Sequence, residues 1–260
     1  MLVPGVKQTF DADQFIALDR SKIVLLGIAV RTYLCLILCC SAAIAASPSE
    51  SLDRAMRLLE EEHGQDTTVI NLVNQALESE VSARAYNYRG IAFSNLGNHE
   101  QAIRDYTQAI RLDPAYAKAY YNRAQSYIDT MRPDLAILDL DQALRANPDY
   151  SKAYIARSRA FKAMGRIDDA ITAMTKAVDL LPQDPLPLSS RSLLYAITGK
   201  SEKAEADCLG SLRIKESMDG HLACALVYAN SRNYEKAEKS YGRVVSMDNL
   251  SMDAYSGRAL

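Results

Sequence analysis

The chain has 260 residues, with 30 Lys plus Arg against 32 Asp plus Glu and a formal net charge of −2. That balance leaves no electrostatic footprint for nucleic acid. A hydrophobic fraction of 48% is enough for a substantial core, and with no tryptophan the packing falls to alanine and tyrosine.

Residues 1–22 are polar and unpatterned, and read as a disordered start or one set too far upstream. Ile23 to Ala46 is an apolar run broken by Arg31. As an export signal, Arg31 and Thr32 supply a basic end and Tyr33 to Cys40 an apolar centre. Ala43-Ile44-Ala45 then gives a small-x-small cleavage site, with cutting near Ala45 or Ala46. As a membrane anchor, residues 23–46 are long enough to span a bilayer, but Arg31 inside it costs roughly 2.5 kcal/mol or more at mid-depth. The cleavage site favours export, and the anchor stays open as the alternative. A buried core helix fits less well, because the repeating pattern starts only after Ser47. Lipid modification of Cys40 is disfavoured by Cys39, where a small residue is expected. Beyond this run only Cys208 and Cys224 remain. They read as small core residues on two adjacent helices, which an oxidising compartment could pair. No Cys/His spacing suggests a metal.

Residues 47–82 read as a degenerate helix pair. Ser47 to Glu50 is a polar hinge, and Ser51-Leu52-Asp53 opens a helix with Leu52, Ala55, Met56, Leu58 and Leu59 on one side. His63-Gly64 stops it. Asp66 or Thr67 caps a second helix with Val69, Ile70, Leu72, Val73, Ala76 and Leu77 inward.

Then come three copies of one 34-residue unit, at 83–116, 117–150 and 151–184. Their fourth position reads Tyr86, Tyr120, Tyr154, their eighth Gly90, Ala124, Ser158, and their eleventh Phe93, Tyr127, Phe161. The twentieth is Ala102, Ala136, Ala170, the twenty-seventh Ala109, Ala143, Ala177, and the thirty-second Pro114, Pro148, Pro182. Small residues recur where helices approach closely, and aromatic ones where a gap between them is filled. Gly97 and Gly165 suit a left-handed helix end, Pro133 suits a first helical turn, and the prolines at the thirty-second position end each second helix. A period of this size signals a stacked array, not one closed core. Weaker copies follow at 185–217, one residue short, and at 218–251. A further unit opens at 252–260, with Tyr255 at its fourth position.

This column pattern resembles the tetratricopeptide repeat family. The resemblance implies an all-α, right-handed α-solenoid of antiparallel helix pairs. It also implies a concave groove that holds partner proteins or peptides, lined by first-helix positions 2, 5, 9, 12 and 13. Carried onto this chain, those positions give Arg84, Asn87, Ile91, Lys118, Tyr121, Gln125, Lys152, Ile155 and Arg159 as candidate groove residues, with Lys162, Leu186, Ser189 and Leu193 further along. The groove thus drifts from polar and basic to apolar, which suits an extended peptide with acidic and hydrophobic parts. For any single residue the plainer reading is a solvated helix face. The family's clamp for a chaperone's terminal carboxylate is matched only at Asn122 and Lys152, and is not expected here.

Position 7 reads Arg89, Arg123, Arg157, Arg191, and position 23 reads Asp105, Asp139, Ala173, Asp207. These columns lie on facing helices, so an ion pair within each unit is expected, with the arginine stem packed between the helices. The competing reading is a cationic ladder for an anionic ligand. Arg157, opposite Ala173, is expected to be the free cation.

No catalytic carrier is visible. There is no phosphate loop or nucleophile elbow. His63, His99 and His221 sit in a stop, a loop and a core column, and each reads as structural. The expected protein is an exported protein-binding scaffold of a bacterial-type periplasm or cell envelope, with no cofactor, metal or nucleic acid. Two other classes remain. One is a membrane-tethered assembly factor that self-associates or docks through an open carboxy-terminal face. The other is an enzyme subunit, which would need a catalytic constellation not found here.

Overall fold

The computed structural model describes residues 47–61 and 64–247. The segment 23–46, His63 and the unit opening at 252–260 lie outside the described residues. Described residues 51–61 and 64–247 belong to one compact unit, and of the other only residues 47–50 are described.

Among the described residues there are twelve α-helices and no strand. They are α1 (Pro48–Glu60), α2 (Asp66–Ser79), α3 (Ala83–Asn95), α4 (His99–Leu112), α5 (Ala117–Asp129) and α6 (Pro133–Ala146). Then follow α7 (Ser151–Ala163), α8 (Ile167–Leu180), α9 (Pro185–Ile197), α10 (Ser201–Ile214), α11 (Met218–Asn230) and α12 (Tyr234–Met247). From α2 onward each helix packs on its neighbours in the chain, and α3, α5 and α7 also touch in succession, as do α9 and α11. This is an α-solenoid.

Local chemistry sets the ends. Ser82, Asn98, Asp184 and Ser217 each accept a backbone N–H with the side chain at a helix start, and Pro133 and Pro185 occupy first turns. Among the described residues, five tight turns inside repeats close the same way. The N–H of Asn98, Arg132, Arg166, Lys200 and Asn233 donates to the carbonyl of Phe93, Tyr127, Phe161, Tyr195 and Tyr228, respectively, at 2.8–2.9 Å. This bond needs a left-handed residue just before the donor. Gly97, Gly165 and Gly199 supply it at φ 75°, 73° and 71°, and Met131 and Arg232 are held there at φ 59°.

The core is built on the alanine columns. Ala102, Ala109, Ala124, Ala136, Ala143, Ala170 and Ala177 are wholly inaccessible to solvent. Gly90 shows why position 8 is small. A Cβ placed there would stand 2.6 Å from the ring of Tyr106, itself buried on the facing helix. At the start of the array, Ala55 shares a core with Val69, Val73, Ala85 and Ala92.

Some sequence expectations need correction. The first helix opens at Pro48 and not at Ser51, because proline suits a first turn and the Ser47 hydroxyl accepts from the Glu50 N–H at 3.2 Å. Asp66 does not cap α2, since Gln65 holds that place without a side-chain bond and Asp66 Oδ1 instead accepts from Asn95 Nδ2 at 2.8 Å. His99 is the first residue of α4, not part of a loop.

The arginine column forms the expected pairs. Arg89, Arg123 and Arg191 each grip their own unit's Asp105, Asp139 or Asp207 with two parallel bonds of 2.7–2.9 Å. The remaining guanidinium nitrogen reaches back to the preceding repeat. Nη1 of Arg89 donates to Asn74, of Arg123 to Thr107 and of Arg191 to Thr175, at 2.7, 2.8 and 3.2 Å. Each arginine is thus a rung between repeats. Arg157 is not the free cation expected. Its Nη2 lies 3.0 Å from Asp141 Oδ1, at the place held by Thr107 and Thr175 in the neighbouring repeats, and its guanidinium stacks 5.2 Å from the Phe161 ring centre. The acid missing from position 23 has moved back one repeat. What Ala173 leaves behind is the buried Arg157 Nε, which has no hydrogen-bond partner.

In the fifth repeat position 7 is Cys224, and it is bonded to Cys208 of the fourth across a Cα–Cα distance of 5.2 Å. The two thiols expected as small core residues on adjacent helices are therefore one disulfide between α10 and α11. Here a covalent rung stands where the other repeats carry an arginine.

Candidate functional site: the face of the first helices

The first helices α3, α5, α7, α9 and α11 contribute positions 2, 5, 9 and 12 to one side of the array. Residues with that spacing share a helical face. On α3, Arg84 is exposed. It sits 3.6 Å from Asp53 and donates to the Tyr88 hydroxyl at 3.2 Å. Asn87 is 2% exposed and its Oδ1 accepts from Asn122 Nδ2 at 2.9 Å. That amide joins two repeats and is not offered at a surface, a correction to its place among the groove residues. Ile91 is half-buried and lines a cavity of about 460 Å³ with Leu58, Leu59, Asp66 and Asn95.

On α5, Lys118 is exposed, while Tyr121 and Gln125 are half-buried. The Gln125 Oε1 is shielded from solvent and has no hydrogen-bond partner among the described residues. Tyr121 lies 5.1 Å from Tyr150, ring centre to ring centre, at an interplanar angle of 48°. Burial raises the Tyr121 phenol above its ordinary pKa, and the Arg159 guanidinium partly offsets that. Burial, with Tyr121 and Tyr116 nearby, raises Tyr150 as well. Burial pushes Tyr116 up to about 12, with Tyr88 adding to the shift and Arg84 opposing it. An electrostatically connected line of tyrosines, Tyr88, Tyr116, Tyr150 and Tyr121, therefore runs from Arg84 to Arg159.

On α7 and α9 the lining changes. Ile155, Met174, Leu186, Leu193 and Leu194 wall a cavity of about 330 Å³, and Arg159, Lys162 and Ser190 stand among them. Lys118, Lys152, Arg159 and Lys162 carry no ion pair among the described residues. Of the residues expected on the groove, Ile155, Arg159, Lys162, Leu186 and Leu193 line this cavity, while Ser189 is buried with its hydroxyl donating to the Leu186 carbonyl at 2.9 Å. Tyr116 and Tyr150, beside Tyr121, were not expected. Their signal was present, since both close a 34-residue unit at the same position.

A face of this kind offers hydrogen bonds, cations and apolar walls on rigid helices. It brings together no acid–base pair. Among the described residues no group of three or more His, Cys, Asp or Glu is placed to hold a metal. No helix there is long and apolar enough to cross a membrane.

The fold and the face together define a helical-repeat protein of the solenoid class. Models of the tetratricopeptide repeat match residues 83–116 and 121–185. These two stretches are tetratricopeptide repeats. No curated protein matches its sequence. Solved structures resemble it in fold. PilF of Pseudomonas aeruginosa is similar at 16% identity and a TM-score of 0.68, over 82% of this chain and 98% of PilF. YrrB, a tetratricopeptide repeat protein with an unusual peptide-binding site, is similar at 20% identity and a TM-score of 0.58, over 72% of this chain and 98% of YrrB. A thermophilic tetratricopeptide repeat protein of Thermus thermophilus is similar at 20% identity and a TM-score of 0.57, over 68% of this chain and 97% of that one.

Proposed function

We propose that this protein is an exported scaffold of the periplasm or cell envelope that holds partner proteins or peptides along the face of its first helices. The observation that carries the reading is the row of cations Lys118, Lys152, Arg159 and Lys162, left without an internal acid beside an apolar cavity and a tyrosine line. Some surface cations elsewhere on the array find acids, as Arg132 does with Glu100 and Lys236 with Glu205, and others, such as Arg111 and Lys176, do not. What distinguishes these four is that they share the first-helix face with the apolar cavity. Stacked repeats expose extended surfaces of this kind for binding, and rigid helices lose little freedom when a partner docks. The peptide site of YrrB is a precedent within the same fold. Export is supported by the Ala43-Ile44-Ala45 cleavage pattern and by the paired Cys208 and Cys224, which suit an oxidising compartment.

The test has two arms. Affinity capture is run with the native chain and with Arg84, Lys118, Lys152 and Arg159 reversed to glutamate. Loss of captured proteins is expected, and an unchanged set overturns the groove as the docking face. Intact mass of the protein from its natural host is expected to show a start near Ser47. A retained 23–46 segment overturns the cleaved signal and favours a membrane-tethered assembly factor.

A further inference from the structure

Resting on the groove reading above, we infer that the cavity between α7 and α9 is an anchor site for a peptide that carries an aliphatic side chain next to acidic residues. The geometry of α7 makes the case. Ile155, Arg159 and Lys162 are spaced so that they share one helical face, and all three line the cavity. The apolar floor and the cationic rim are therefore one surface. At about 330 Å³ the cavity is at the small end of ligand clefts, a size for one or two side chains and not for a large cofactor.

The polar groups around it select the charge of the occupant. No Asp or Glu lines the cavity. Ser158 is not available, because its hydroxyl donates to the Ala170 carbonyl at 2.8 Å. That leaves Arg159 and Lys162, two cations without an internal acid, and the Ser190 hydroxyl. A bound cation would be repelled, and a wholly apolar peptide would leave both charges unanswered. Lys118 and Lys152 continue the positive charge toward the amino end, while Leu186 continues the apolar surface toward the carboxyl end at 47% exposure. The acidic part of the peptide thus lies over α5 and α7, and its aliphatic anchor over α7 and α9.

The full chain is titrated into a fluorescein-labelled decapeptide in which three acidic residues precede a Leu-Leu pair, and anisotropy is read at low ionic strength. Parallel peptides carry Ala-Ala in place of Leu-Leu, or three lysines in place of the acids. Burying one leucine side chain in the cavity corresponds to at least about a tenfold change in Kd. The Ala-Ala peptide is expected to bind at least that much more weakly, and the lysine peptide more weakly still. Arg159→Glu with Lys162→Glu is expected to reverse the charge preference. Leu186→Gln is expected to erase the advantage of leucine over alanine. All three side chains lie on the surface, so the variants keep the helical circular dichroism of the parent. Equal binding of all three peptides, no binding of the acidic leucine peptide, or indifference to the substitutions overturns the anchor site. If capture still depends on the groove charges while the peptide ignores Lys162 and Leu186, the groove reading stands and this inference falls.

Discussion

Reducing the Cys208–Cys224 bond should loosen the end of the array and nothing else. The bond closes a sequence separation of 16 residues, and a loop of that size is worth about 3 kcal/mol in the chain-entropy account. In a single closed core such a loss would be shared by every residue. In a stacked array stability is close to a sum of repeat terms and nearest-neighbour terms. The loss therefore falls on α11 and α12, which meet the rest through α9 and α10. Each 1.4 kcal/mol is a factor of ten, so amide-exchange protection in α11 and α12 should drop by about two orders of magnitude under reductant. Protection in α3 to α8 should not move. The measurement is exchange followed by mass spectrometry, with and without a thiol reductant. Cys208→Ala with Cys224→Ala serves as a control that is blind to redox state and should match the reduced protein. A uniform loss across all helices, or no loss in α11 and α12, would refute the argument that this bond acts as a local rung.

Other outcomes follow from the same contacts. Asp139→Ala strands Arg123, whose side chain is only 16% exposed, and should cost about 3 kcal/mol as the breaking of a buried pair. A urea midpoint within error of the parent would count against the rung. Ala173→Asp places a carboxylate opposite the orphaned Arg157 Nε, at the position where three other repeats carry one, and should stabilise by about 1 kcal/mol as a charge-assisted bond less its desolvation. A lower melting temperature would show that the site has no room. Met131→Gly relieves a left-handed non-glycine residue that is 85% exposed. It should add about 1 kcal/mol in thermal unfolding, strain relief exceeding the chain entropy of glycine. Tyr116 gives a pH dependence. Its folded pKa is raised, so its neutral form contributes stability that is intact below about pH 10 and is lost as pH climbs toward about 12. Tyrosinate absorbance should show a late-titrating fraction that shrinks by one tyrosine in Tyr116→Phe and persists through the other raised phenols, Tyr150 among them.

The helix pairs were legible because their cause is periodic. Alanine at positions 20 and 27 and a small residue at position 8 allow close approach, and an array repeats that requirement in every unit. The pairing of Arg89, Arg123 and Arg191 was legible for the same reason, since both partners lie in one unit at a constant spacing. Arg157 escaped because its acid, Asp141, belongs to the preceding repeat, and a column read unit by unit does not look across that boundary. The cysteines were expected on adjacent helices, with their pairing left open. Cys224 at position 7 and Cys208 at position 24 of the repeat before share no column. Asn87 was placed on the groove by its position, yet it is buried, because Asn122 Nδ2 supplies a partner that draws the amide inward. Tyr116 and Tyr150 were missed for want of a reason to look beyond the helices, since both sit in the links that end each unit.

The two arginine populations of this face are kept apart by helical geometry. One residue advances the helix by about 100°, so position 7 lies about 200° from positions 5 and 9. Arginine at position 7 points away from the groove face, into the seam between repeats, where Asp105, Asp139, Asp141 and Asp207 neutralise it. Arg159, at position 9 of the same helix as Arg157, meets no such acid. The rungs therefore consume the inner arginines and fix the spacing of the first helices, while the outer cations stay unpaired. An array stitched in this way holds its cationic residues in register before any partner arrives, which lowers the ordering cost of binding. Substituting a position-7 arginine should therefore weaken a docked peptide by letting α7 and α9 shift, with no contact between that arginine and the peptide. Reversing Arg159 should weaken binding while leaving the melting temperature where it was.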